Sequence, residues 1–155
     1  MTPPEVGIVG FAELSATAVR ARLLDDHDRF WDTDTRALHH PVWFHQFGGF
    51  GALARTTSGE DVGYLLGAVT ADRLAYLHLL AVREDFRRAG LARRLCRWFD
   101  ELAVSTGARV VQAVTRPDNA AALGFHRALG VSEHLSADHA GPGADRMVLT
   151  RSLRP

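Results

Sequence analysis

The stretch VREDFRRAGLARRL, Val82 to Leu95, joins the end of an apolar strand-like run to a glycine-marked basic turn that opens an amphipathic helix. Such a junction can bind an anion. The first N–H groups of a helix lack intrahelical partners, the macrodipole puts partial positive charge there, and consecutive amides in the preceding turn can enclose a pyrophosphate. Arg87, Arg88, Arg93 and Arg94 add charge around it. Gly90 lets backbone approach a phosphate closely, and Ala92 keeps the next inward position small. The chemistry indicated is therefore recognition of a phosphate-bearing ligand. A triphosphate loop of the lysine-dependent kind is excluded because the chain has no lysine, and a dinucleotide fold is disfavoured because the full GxGxxG run is missing.

Ser15 can cap a first helix running through about His27, with Leu14, Val19, Leu23 and Leu24 at roughly helical spacing. Residues 31–50 mix acids, histidines and aromatics, and Pro41 starts or breaks a second, weaker helix there. Gly51 to Thr56 and Val62 to Val69 read as strands about the turn signal SGED, with Leu74 to Val82 as a third, so an antiparallel meander is expected. The period then switches to 3.6, with Leu91, Leu95, Trp98, Phe99 and Leu102 on one face until Gly107 stops the helix. Arg109 to Thr115 is a buried strand parallel to the one before the helix, by the crossover rule. Asn119 to Ala128 is another helix, ended by Gly130, and Val131 to Leu135 with Arg146 to Leu153 supply closing strands. The expected class is α/β with a mixed sheet, antiparallel strands first and a central parallel pair with a crossover helix.

Composition narrows the function. The 155 residues, 46% hydrophobic and 8% aromatic, suit one compact domain over 1–155. Eighteen arginines balance eighteen acids, and this zero net charge argues against bulk binding to nucleic acid or an acidic membrane. Cys96 is the only cysteine, which rules out an internal disulfide and a cysteine-based zinc site and reads as a small core residue. His39, His40 and His45 fit no standard ligand spacing, so no metal is expected. MTPPEVGIVGFAEL lacks the charged start and apolar run of a signal peptide, and no stretch approaches the roughly 18 apolar residues of a membrane span. The expectation is a soluble, unexported, cytoplasmic protein.

Three features together make the chain resemble the GCN5-related N-acetyltransferase (GNAT) superfamily along nearly its whole length. LAVREDFRRAGLARRL is similar to that family's acyl-coenzyme A signature, with Arg87, Gly90 and Ala92 at the signature positions. NAAALGFHRALGV, Asn119 to Val131, is similar to the family's later helix, and the distance between the two leaves room for one helix and one strand. The resemblance implies a GNAT-like fold and acetyl transfer from acetyl-coenzyme A to an amine. It implies that the signature strand splays from its neighbour, so that backbone groups of Leu80, Ala81 and Val82 bind the pantetheine arm and the acetyl carbonyl. The amides of Arg88, Ala89, Gly90, Leu91, Ala92 and Arg93 would hold the pyrophosphate. Arg87 would add a charge-assisted contact, and Asn119 would either meet the cofactor or cap its helix. Family membership is also the only basis for suggesting a homodimer.

Amine acetylation needs a base for the ammonium and a proton for the departing thiolate. His78 lies four residues before Val82, and strict alternation puts it on the face of Leu80 and Val82. The family implies a base at this place; a hydrogen-bonded core histidine is the alternative. His126 stands where the family often has Tyr as general acid, so it either protonates the sulfur or packs beside the cofactor. Loss of that Tyr keeps open a second reading, a non-catalytic acyl-coenzyme A binding or sensing domain. The acceptor, a small-molecule or peptide amine, is expected among Trp31, Trp43, Phe44 and Tyr76, where rings and the aspartates of residues 25–36 suit a cationic amine.

Overall fold

The computed structural model describes residues 4–153; residues 1–3 and 154–155 of the expected 1–155 domain lie outside the described residues. The elements are β1 (Val6–Gly10), α1 (Ala16–Asp25), α2 (His27–Phe30), β2 (Ala52–Thr56), β3 (Asp61–Val69), β4 (Leu74–Val82), α3 (Leu91–Ser105), β5 (Val110–Thr115), α4 (Ala120–Ala128), β6 (Ser132–Ser136) and β7 (Arg146–Ser152). The seven strands form one sheet in the order β1-β2-β3-β4-β5-β7-β6. Only β4 and β5 are parallel; every other neighbouring pair is antiparallel. The expected mixed α/β architecture is therefore present.

Local chemistry accounts for the main elements. Ser15 caps α1 by accepting from the Ala18 N–H at 3.3 Å. The predicted first helix is shorter than expected, ending at Asp25 before the single turn of α2. Gly90, at φ +78°, turns the chain into α3, and Gly107, at φ +93°, turns it out again. Between them α3 buries Leu91, Leu95, Cys96, Phe99 and Ala103 against the sheet. Arg151 of β7 grips Asp100 of α3 through two hydrogen bonds of 2.8 and 3.0 Å, tying the far side of the sheet to this helix. Two segments differ from the expectation. β1 precedes the first helix and pairs along β2, and the weak second helix of residues 31–50 is replaced by short 3₁₀ turns at Arg36–Leu38, Pro41–Trp43 and Gly48–Phe50.

The sheet has a core on each face. On the α3 side Ala54, Leu65, Leu77, Leu95, Phe99 and Val111 pack together. On the α1 side Val19, Leu23, Phe30, Leu53, Tyr64, Leu66 and Leu79 do the same. β4 is irregular between them: Leu79 pairs with Leu66, but Leu77 pairs with the adjacent Gly67, which leaves His78 as an extra, bulged residue. The bulge reverses the alternation. Ala75 and Leu77 face α3, whereas Leu79 and Ala81 face α1. The expectation that His78 shares a face with Leu80 and Val82 is thereby corrected. Those two pack on the α3-side core, while His78 stacks on Trp43, which packs with the α1-side core.

Gly67, opposite the bulge, has no room for a side chain. A Cβ there would lie 2.7 Å from Cε1 of Phe99 and 2.8 Å from the Tyr76 carbonyl oxygen. Gly67→Ala should therefore lower stability by about 1–3 kcal/mol through overpacking against α3 and the β4 backbone. Thermal denaturation should show a drop in Tm of several degrees, and an unchanged Tm would contradict this packing.

Candidate functional site

Pairing between β4 and β5 runs from Leu74↔Val110 to Leu77↔Ala113 and stops there. β4 continues to Val82 on β3, and β5 continues to Thr115 on β7. The two parallel strands therefore separate just after the bulge, whose extra residue increases local twist. On the side facing β5, residues 78–82, including Leu80, Ala81 and Val82, have no strand partner.

The open edge leads directly into the basic turn. Arg88 and Gly90 adopt left-handed φ values of 67° and 78°, and α3 starts without a side-chain cap. Among the described residues the N–H groups of Arg88, Ala89, Gly90, Leu91, Ala92 and Arg93 have no hydrogen-bond acceptor; the first bond of the helix is Arg94 N–H to the Gly90 carbonyl at 3.1 Å. Nothing lies within 4 Å of where a Gly90 Cβ would stand, so this row of amides is approachable. It is a concavity of unsatisfied donors at a helix start, the arrangement that accepts an anion.

Arg87 does not point freely into that concavity. Its Nε donates to the Val82 carbonyl at 3.1 Å and its Nη2 to the Phe30 carbonyl at 3.0 Å, so it ties the turn to the end of β4 and to α2. Arg83 is a second brace, and sequence reasoning missed it. It is buried, donates to both carboxylate oxygens of Asp85 at 2.7 and 2.9 Å, and lies 4.9 Å from the centroid of the Phe86 ring. Asn119 accepts from the Ala122 N–H at 3.1 Å and so caps α4; its Nδ2 has no partner among the described residues.

His78 is held on three sides. Its Nε2–H donates to the Leu38 carbonyl at 2.8 Å, its ring stacks on Trp43 with centroids 3.9 Å apart and planes 8° apart, and its Nδ1 lies 3.4 Å from the Tyr76 hydroxyl. Because a carbonyl can only accept, the bond to Leu38 puts the proton on Nε2 and leaves the Nδ1 lone pair as acceptor of the long bond from the Tyr76 hydroxyl. Burial holds this imidazole below the ordinary histidine range, with the Leu38 carbonyl pulling weakly the other way. His126 lies half-buried on α4, edge-on to Phe125; burial lowers its pKa, and the Arg151 cation lowers it further. α4 packs on the α3 side of the sheet through Phe125 and Leu129, so the two histidines belong to opposite faces.

Of the four expected acceptor residues, Trp43 and Tyr76 stand beside His78, with ring centroids 5.9 Å apart. Trp31 and Phe44 are placed elsewhere. Phe44 is 2% exposed and stacked on Phe11, and Trp31 donates through Nε1 to the Tyr64 hydroxyl at 2.6 Å. That hydroxyl donates in turn to Nε2 of His39 at 2.7 Å, while His39 Nδ1–H donates to the Thr35 carbonyl at 2.8 Å. His27, also buried, accepts the Thr35 N–H at 3.1 Å. This chain fixes the loop that carries Leu38. Sequence reasoning missed it because histidines among aromatics in an irregular segment carry no periodic signal. Cys96 is buried in the core and its thiol is pushed up to about 12, which leaves no reactive thiolate.

Burial holds His39, like His78 and His126, below the ordinary histidine value. The unfolded chain then binds protons first, so the stability from keeping these rings neutral is complete above about pH 6.5 and is lost as pH falls below it. Paired carboxylates such as Asp85 and Glu133 titrate lower still, which leaves the interval just below pH 6.5 to the histidines. Tm should fall on acidification through that interval, and His39→Gln should flatten the slope; a Tm that holds constant would contradict the assignment.

A family model described as the acetyltransferase (GNAT) family matches residues 8–131, from β1 to the threshold of β6. Among solved structures the fold is similar to Ard1 from Thermoplasma volcanium, with a TM-score of 0.76 and 19% identity over 97% of this chain and 99% of that one. It is also similar to the ribosomal-protein-S18-alanine N-acetyltransferase from Escherichia coli, with a TM-score of 0.69 and 20% identity over 97% and 96% of the two chains. A chain of the NatC complex bound to Gag peptide and CoA gives a TM-score of 0.76 and 16% identity over 97% and 99%. These identities speak for the fold, and the family match covers most of the sequence. The chain, whose open β4 edge runs into an uncapped basic turn, belongs to the acetyltransferase (GNAT) family.

Proposed function

We propose that this protein is an N-acetyltransferase that moves an acetyl group from acetyl-coenzyme A directly to a primary amine of a small molecule or peptide. The observation that carries the reading is the continuity of the unpaired β4 edge with the six free amides of Arg88 to Arg93. An amide-bearing pantetheine arm suits the strand edge, and a pyrophosphate suits the amides at the start of α3. Arg87 and Arg83 serve as braces that keep the turn in shape, and Asn119 offers its free Nδ2 from across the gap.

In this reading His78 is the base. Nδ1 takes a proton from the acceptor ammonium, directly or through one water, and the imidazolium that forms keeps its Nε2–H bond to the Leu38 carbonyl. The amine nitrogen attacks the thioester carbonyl; a C–N bond forms, the C–S bond breaks, and the oxyanion between these events is met by a backbone N–H on the open edge of β4. The nitrogen gives up its second proton to solvent as the amide forms, and the sulfur leaves as thiolate, tolerable for a thiol whose pKa is about 8.5, and takes up a proton from that solvent. His126, kept neutral by burial and by Arg151, donates a hydrogen bond to that sulfur and not a whole proton. The site so described needs no covalent enzyme intermediate.

Thiol release from acetyl-coenzyme A against an amine panel tests the reading. kcat/KM should rise with pH through an inflection below the ordinary histidine value, because burial lowers His78. His78→Ala should cost about 10²-fold or more and abolish that inflection. Coenzyme A binding without thiol release on any amine would favour the acyl-coenzyme A sensing alternative and overturn the reading. For His126, replacement by Phe should lower kcat by roughly tenfold or less, about the worth of one hydrogen bond, and leave the pH profile in place; loss of a basic limb in that variant would show that His126 is a true general acid.

A further inference from the structure

Resting on the N-acetyltransferase reading, we infer that the acceptor is a primary amine bearing an aromatic or large aliphatic group within a few bonds of nitrogen. The surroundings of the proposed base are apolar. The Trp43 ring covers one face of His78, Phe47 lies 5.4 Å from Trp43, and the Tyr76 ring lies 5.7 Å from His78. Three large apolar side chains are exposed among the described residues, and two of them belong here: Leu38, whose carbonyl holds His78, is 44% exposed, and Phe47 is 36% exposed. The sheet continues this surface. Tyr76 pairs with Gln112, so alternation along β5 puts Val114 on the same face as Tyr76, beside its partner Val148 on β7, and both valines are only half-buried.

Two of the aspartates in residues 25–36 are engaged by other side chains. Asp28 is engaged by His27 at 2.9 Å and Arg36 at 3.5 Å, and Asp34 by Arg36 at 3.3 Å. Among the described residues no carboxylate bonds to Trp43, Tyr76 or His78. One face of Trp43 is covered by the His78 ring. An apolar substituent on the amine, more than a carboxylate partner for its charge, is what the surroundings of the base are suited to hold. Rings and aliphatic side chains reward burial of an apolar substituent, and they also disfavour the ammonium form, which brings the amine toward its nucleophilic state.

The test is thiol release from acetyl-coenzyme A with phenethylamine and the dipeptide Phe-Gly set against ethanolamine, spermidine and Asp-Gly. The apolar members should be preferred by at least about tenfold in kcat/KM, and the ratio of phenethylamine to Phe-Gly tells a free amine from a peptide N-terminus. Phe47→Ser, at an exposed position, should raise KM for the preferred apolar amine several-fold with kcat retained, narrowing its advantage over ethanolamine. Preference for spermidine or Asp-Gly, or an unchanged KM in Phe47→Ser, overturns this inference while leaving the acetyltransferase reading intact. Absence of release with every amine overturns that reading itself.

Discussion

One extra residue in β4 sets the geometry of the whole site. Because Leu79 pairs with Leu66 and Leu77 with Gly67, His78 has no partner of its own, and the strand turns its faces over at that point. Below the bulge β4 runs parallel with β5; above it the strands part. The same irregularity thus frees a backbone edge and aims an imidazole at the α1 side. Gly67 is its counterpart on β3, where the missing side chain lets Phe99 of α3 close against the sheet. An unbulged β4 would continue its ladder with β5 and leave no opening to bind in.

Polar braces hold what the bulge opens. Arg83 and Arg87 fix the turn with charge-assisted bonds, so the amides at the start of α3 are left free without the loop collapsing onto them. On the opposite face, Trp31, Tyr64, His39 and Thr35 form a hydrogen-bonded chain under the irregular loop, which keeps the Leu38 carbonyl on His78. Among the described residues no buried side-chain polar atom lacks a partner. Buried polar groups cost stability unless satisfied, so these networks specify one loop arrangement where an apolar core would allow several.

How much of this could be read from the chain depends on which physical signal each part carries. The β4-turn-α3 unit was legible because period 2 gives way to period 3.6 at a glycine, and glycine at φ +78° stands where that switch required it. β5, α4 and the parallel pairing followed from the same patterns. β1 was not legible: VGIVG is short, has glycine at two of five positions and finds its partner more than forty residues away. The bulge left no mark either, since YLHLLAV alternates well enough to pass for a regular strand, and the error in the facing of His78 came from that. In residues 31–50, aromatic residue type alone does not tell a core ring from a pocket ring. Trp43 and Phe44 are neighbours, yet one stacks on His78 and the other is sealed against Phe11.

In the proposed function, the open edge of β4 and the free amides of the following turn form one binding surface for acetyl-coenzyme A. Amide hydrogen exchange resolved to single residues, with and without coenzyme A, tests it directly. Leu80, Val82 and residues 88–93 should gain protection together on binding, as donors now exposed acquire acceptors, while Ala81, whose N–H faces β3, and the strands β1 and β6 change little. Protection confined to other elements, or binding that leaves the amides of Arg88 to Arg93 exchanging freely, would contradict the account.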